Sequence, residues 1–198
     1  LSNRSQGDFK KLKLPREQKV ILIAAPGGAG KTSTAARIAQ VDSWTHISED
    51  RVWDELPRDP HTPRTDEEKT IVQARTVAYV QAQLAKGNSV VLEFIVYENP
   101  PQPIIFYQSE LEKIGVPVHV RVLRPSLDEI LLRQGVRANN HDTEVDLAAR
   151  KANAEHQIRC LSSEYIKPDW IIDTSRAPLE AVYQRYFAYL VDEPMKDE

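Results

Sequence analysis

Short apolar runs alternate with longer amphipathic stretches along this chain, and that order predicts strands and helices in turn. Val20–Ile23 is a compact run rich in β-branched residues, as a buried central parallel strand requires. A glycine-rich turn follows, and residues 34–40 favour a helix. Trp44–Ser48 alternates apolar and polar positions, which predicts a second strand, and polarity jumps at Glu49, Asp50 and Arg51. Residues 57–65 are too rich in proline for a regular element. Residues 66–86 predict a long helix: Thr65 and Glu68 fit a capping box and Gly87 fits its end, with Ile71, Ala74, Val77, Ala78, Gln81 and Leu84 on one mostly apolar face.

The alternation continues to the C-terminus. Ser89–Val96 reads as a buried strand and Tyr97–Pro103 as a rigid loop. A helix over 104–114 ends at Gly115, and a strand over 116–123 points Val118, Val120 and Val122 inward. Ser126 caps a helix running to Arg133, and a second helix covers 143–165. Residues 169–173 predict a fifth strand and 179–191 a final amphipathic helix. Repeated β–α units imply a parallel sheet with helices on both faces and candidate polar groups at the strand C-termini. There is no internal repeat and no second domain.

Chemistry concentrates in the first turn. Three of the 7 glycines, Gly27, Gly28 and Gly30, stand between a strand and a helix and are followed by Lys31 and Thr32. Such a turn aims backbone N–H groups and a helix N-terminus at an anion. The pattern is G-x-x-x-x-G-K-[ST], the P-loop or Walker A pattern, with Ala25 at the first glycine position. It places ATP phosphates against Pro26, Gly27, Gly28, Ala29, Gly30, Lys31, Thr32 and Ser33. Lys31 reaches the β/γ-phosphates, and the Thr32 hydroxyl ligates Mg²⁺. Asp50 suits a general base, with helix capping by Glu49 or Asp50 as the alternative. Glu93, late in an apolar strand, serves the magnesium or a salt bridge to a core arginine. Arg58, His61 and Arg64 either bind an acceptor or face solvent. Arg133 and Arg137 share one helical face before a polar segment and suit charge-stabilising fingers on a lid, with surface solubility as the alternative.

Composition narrows the class. The 198 residues suit one domain, 28% charged and 41% hydrophobic residues suit a soluble globular chain, and the net charge of −3 gives no global attraction to nucleic acid. The lone Cys160 excludes a disulfide framework, and no apolar run approaches a membrane span. No secretory leader is visible at the start, which is not a methionine, and a cytoplasmic location is expected. Residues 1–18, with Lys10, Lys11, Lys13 and Arg16, read as a solvated extension, 19–191 as the domain with a lid at about 134–146, and 192–198 as a charged tail.

Residues 25–32, Ile47-Ser-Glu-Asp50, Val90–Phe94 and the arginine pair together resemble the P-loop kinases of the nucleoside-monophosphate-kinase-like group. Within it they are similar to polynucleotide 5′-hydroxyl kinases, zeta-toxin-type kinases and chloramphenicol-phosphotransferase-like enzymes. The resemblance implies a three-layer α/β/α P-loop NTPase fold with a five-stranded parallel sheet of order 2-3-1-4-5 and a helical lid. It implies Asp50 as general base, Arg133 and Arg137 as lid arginines, and the loop 174–178, with Arg176, beside the adenine. Trp53 stands where the group often carries an acceptor-binding arginine. The expected function is γ-phosphate transfer from ATP, with Mg²⁺, to a small-molecule hydroxyl. A polynucleotide 5′-hydroxyl kinase, with nucleic acid as acceptor, and a regulatory ATPase are the alternatives. The sequence does not fix the oligomeric state.

Overall fold

A computed structural model describes residues 17–57, 59, 62–137 and 144–191, without the side chains of 136, 137, 144 and 145. The basic cluster at 10–16, Arg58, His61, the centre of the expected lid and the tail from 192 lie outside the described residues.

Five strands form one parallel sheet of order β2-β3-β1-β4-β5: β1 (Val20–Ala24), β2 (Trp44–Ser48), β3 (Ser89–Phe94), β4 (Val118–Leu123) and β5 (Ile171–Ile172). The helices are α1 (Lys31–Ile38), α2 (Glu49–Asp54), α3 (Asp66–Ala85), α4 (Gln102–Glu112), α5 (Leu127–Arg137), α6 (Glu144–Cys160), α7 (Leu179–Tyr186) and α8 (Ala188–Val191). This is the three-layer P-loop fold. Every residue of β1 is fully buried because helices cover both faces of the sheet.

Side-chain alternation along the strands divides the core in two. Val20, Leu22, Leu92, Phe94 and Val122 face α3 and α4, where they meet Val80, Ile104, Tyr107 and Leu111. Ile21, Ile23, Val91 and Ile172 face α1, α7 and α8, where they meet Ile38, Tyr183, Phe187 and Leu190. Register brings Ser48, Glu93 and Ile23 side by side across β2, β3 and β1, so the chemistry gathers at one sheet edge.

Five local expectations need correction. The buried row of α3 is Val72, Thr76, Val80 and Leu84, whereas Ile71 is 41% exposed. A single i, i+4 row contacts the sheet, and the alanines counted toward a neighbouring face bury too little to orient the helix. The final helix breaks at Phe187 (φ −126°), whose fully buried ring turns the chain into the core before α8. The fifth strand pairs only at Ile171 and Ile172, because residues 168–170 form a 3₁₀ turn beginning at proline. Helix α6 ends at Cys160 rather than Tyr165, and α5 runs on to Arg137. Among the described residues no helix is long and apolar enough to cross a membrane.

Candidate active site

The turn after β1 curls as its glycines allow. Gly28 (φ 88°) and Gly30 (φ 93°) both adopt left-handed backbone, and Gly30 is the N-cap of α1. A Cβ on Gly28 would lie 3.0 Å from Gln134 Cγ and 3.3 Å from the Ile130 carbonyl. Ala25 is tolerated at the first glycine position for a physical reason. It is absent from the positive-φ residues, and its methyl is fully buried in the core beneath α1. Pro26 is buried and its carbonyl accepts from Ala29 N (3.2 Å), while Ser33 points outward from α1.

Lys31 opens α1 and is 9% exposed. Its Nζ lies 3.6 Å from Asp50 and 3.8 Å from Glu93. The Thr32 hydroxyl donates to Glu93 Oε2 at 2.9 Å, and the His46 ring meets Glu93 Oε1 at 3.1 Å. Glu93 is therefore partnered by the P-loop and a histidine, in place of the core arginine weighed above. Burial pushes its pKa up, but the His46 hydrogen bond, the Lys31 charge and the Thr32 hydroxyl outweigh burial and leave it below the usual carboxylate range. Ser48 occupies the N-cap of α2 without a side-chain cap bond, so Glu49 and Asp50 are its first helical residues rather than its cap.

Arg133 also reaches the loop. Its Nε donates to Glu129 (2.7 Å), Nη1 to the Ala29 carbonyl (3.3 Å) and Nη2 to the Thr174 carbonyl (2.9 Å). It thereby ties α5, the P-loop and the 174–178 turn together. Thr174 contacts the loop as well, through its hydroxyl to Ala29 O (3.5 Å), whereas Arg176 is exposed with a left-handed φ of 57°. Arg137 ends α5, and its side chain lies outside the described residues.

Beside Asp50 opens a cleft of about 580 Å³. Trp53 comes to it from α2, Lys69 and Gln73 from α3, and Arg64, Tyr97 and Glu98 from the two flanking loops. The Arg64 guanidinium lies 4.2 Å from the centre of the Trp53 ring and 4.0 Å from Asp50. Lys69 bonds Glu98 at 2.6 Å, and the His156 ring donates to the Tyr97 carbonyl at 2.7 Å, so α3 and α6 hold the loop after β3.

Residues 20–157, more than half of the chain, match the AAA domain family AAA_33. The chain belongs to that family. Solved structures agree on the fold of this AAA_33 domain. The tunicamycin resistance protein of Deinococcus radiodurans aligns with a TM-score of 0.63 at 16% identity, over 88% of this chain and 96% of that one. A sugar kinase from Janibacter sp. HTCC2649 aligns with a TM-score of 0.61 at 18% identity, over 87% and 94%. A gluconokinase from Sinorhizobium meliloti 1021 gives 0.55 at 17%, over 85% and 89%. At these identities the likeness is one of fold alone. The sequence matches no curated protein.

The AAA_33 site fits a magnesium ion by its donor set. Thr32 and Glu93 offer hard oxygen donors at the foot of the loop, and the described residues contain no group of three or more His, Cys, Asp or Glu side chains able to cage a metal. Magnesium suits such a site because it takes its remaining ligands from phosphates and water. Sequence reasoning missed four residues here. Gln134 donates to the Gly27 carbonyl (2.8 Å), and Gln157 accepts from Gly27 N–H (2.8 Å), so both helices around the expected lid grip one residue of the loop. His46 sits mid-strand, where alternation alone gives it no role. Tyr107 reads as a core aromatic, yet its hydroxyl bonds Glu49.

Proposed function

We propose that this AAA_33 protein is an ATP-dependent kinase that phosphorylates a hydroxyl of a small-molecule acceptor, with Asp50 as general base. One observation carries the reading: Lys31, the P-loop lysine, lies 3.6 Å from a half-exposed aspartate whose chain neighbour Glu49 and ion-pair partner Arg64 line a ligand-sized cleft. A nucleotide γ-phosphate held at Lys31 and a hydroxyl held at Asp50 are then neighbours, which is the positioning phosphoryl transfer requires. The presence of a sugar kinase and a gluconokinase among the structural neighbours supports the same reading.

The acceptor oxygen forms a bond to the γ-phosphorus, the bond from that phosphorus to the bridging oxygen breaks, and ADP leaves with the electron pair. The acceptor's proton passes to Asp50. Lys31 neutralises charge on the transferring group, and Arg133, beside Gly30, holds the loop and adds positive charge. Arg137 is the second lid arginine in this proposal, and the 174–178 turn with Arg176 borders the nucleotide base. Thr32 and Glu93 would hold a magnesium ion, which would supply neutralisation of phosphate charge.

The test is acceptor-stimulated ADP formation across sugars, nucleosides, hydroxylated antibiotics and 5′-hydroxyl oligonucleotides. Stimulation by a small molecule supports the proposal. Stimulation by oligonucleotides alone, weakening with salt, reassigns the protein to nucleic-acid ends. Slow hydrolysis indifferent to every acceptor makes it a regulatory ATPase.

A further inference from the structure

Glu49 is a buried carboxyl for which the transfer chemistry above has no use. It lines the cleft beside Asp50 although only 6% of its surface is exposed. The hydroxyl of Tyr107, itself fully buried on α4, donates to Glu49 Oε1 at 2.5 Å, and Trp53 lines the same wall of the cleft. A carboxyl fixed by a buried tyrosine hydroxyl and bordering a ligand-sized cleft is a preorganised anchor. Burial raises its pKa to about 7; Asp50 acts in the same direction, while Tyr107, Arg64 and Trp53 oppose it. Near neutral pH the group therefore both donates and accepts hydrogen bonds.

The rest of the cleft selects against negative charge. Each cation on its wall already faces carboxylates: Arg64 lies 4.0 Å from Asp50, and Lys69 lies 2.6 Å from Glu98 and 3.1 Å from Asp66. An anionic acceptor would have to break one of these pairs in a partly desolvated place already holding Glu49 and Asp50. Trp53, Tyr97, Ile95 and Pro103 supply apolar and aromatic walls. Such walls suit the C–H faces of a ring whose rim carries hydroxyls.

On the reading that this site is a kinase, we propose that its acceptor is an uncharged ring compound with at least two hydroxyls, one anchored by Glu49 and another phosphorylated at Asp50. The ring packs against Trp53 and Tyr97. Glu49 is thus an acceptor-binding residue, and Tyr107 is the positioning residue behind it.

The experiment measures γ-phosphate transfer from ATP to matched acceptor panels. Uncharged nucleosides and aryl glucosides are set against nucleoside 5′-monophosphates and aryl glucuronides. The Glu49→Leu/Tyr107→Phe double variant is measured alongside, since Glu49→Leu alone would strand the buried Tyr107 hydroxyl. The expected result is transfer to the uncharged panel, with kcat/KM at least about tenfold lower for the charged counterparts. In the double variant the acceptor KM rises at least about tenfold while kcat stays within about threefold. Three results overturn the proposal: preference for the charged panel, no transfer to either panel while ATP still raises the Tm, or an acceptor KM that the double variant leaves unmoved. Failure of ATP to bind at all instead removes the kinase reading on which the proposal rests.

Discussion

Replacing Glu49 by glutamine should change how stability depends on pH, in a direction the structure fixes. In the unfolded chain this carboxyl titrates at its ordinary 4.5, and in the folded protein burial holds it near about 7. Below 4.5 both states carry the proton and the group contributes nothing to the balance. As pH rises from 4.5 to 7, the folded state retains a proton that the unfolded state has lost, so folding stability falls. Above 7 the penalty is complete. The displacement corresponds to about 3 kcal/mol, the energy of keeping a carboxylate in that place. Glutamine has no proton to lose and can still accept from Tyr107, so the variant escapes the penalty. Thermal unfolding of both proteins from pH 4.5 to 8.5 isolates the effect, because other titrating groups cancel in the difference. The variant should gain on the wild type steadily from pH 4.5 to about 7 and then level off, by about 6–12 °C in Tm for a chain of this size. Parallel profiles would refute the claim that burial dominates at Glu49.

Three further changes probe the site. Lys31→Ala should abolish phosphoryl transfer, checked by ADP formation at saturating acceptor, because no other described cation lies between the loop and Asp50 at such short range. Glu93→Gln should raise the magnesium concentration giving half-maximal activity by about 10–100-fold, and an unchanged magnesium titration would leave Glu93 as a structural partner of Lys31 and His46. Gly28→Ala forces a Cβ into left-handed backbone against Gln134 and should cost about 1–2 kcal/mol, seen as a Tm lower by about 2–8 °C.

What the sequence made legible was local, or fixed by sheet geometry. The strand, turn and helix around residues 20–38 are contiguous, and their apolar run, glycines and lysine announce one another. Asp50 and Glu93 follow or end strands, so a parallel sheet brings them to the P-loop edge whatever the intervening chain does. The contacts that escaped are long-range and polar. Gln134 and Gln157 reach Gly27 across 107 and 130 residues, and an uncharged glutamine on a helix looks like ordinary solvated surface. The burial of Glu49 depends on Tyr107, 58 residues away, whose ring reads as core and whose hydroxyl gives no periodic signal. Trp53 serves two ends, packing with Val52 and Val72 while lining the cleft under Arg64, and no spacing rule separates the two. Arg133 shows the limit of motif reasoning: its position near the nucleotide loop was legible, but not its bonds to two backbone carbonyls.

The most direct test of the central claim is transfer of label from γ-labelled ATP to a hydroxyl-bearing acceptor, by the wild type and by Asp50→Asn. The account predicts label on the acceptor with the wild type, and turnover lower by about 10²-fold or more in the variant with ATP affinity largely kept. Near-normal transfer by Asp50→Asn would contradict it, because the hydroxyl's proton would then be leaving by another route.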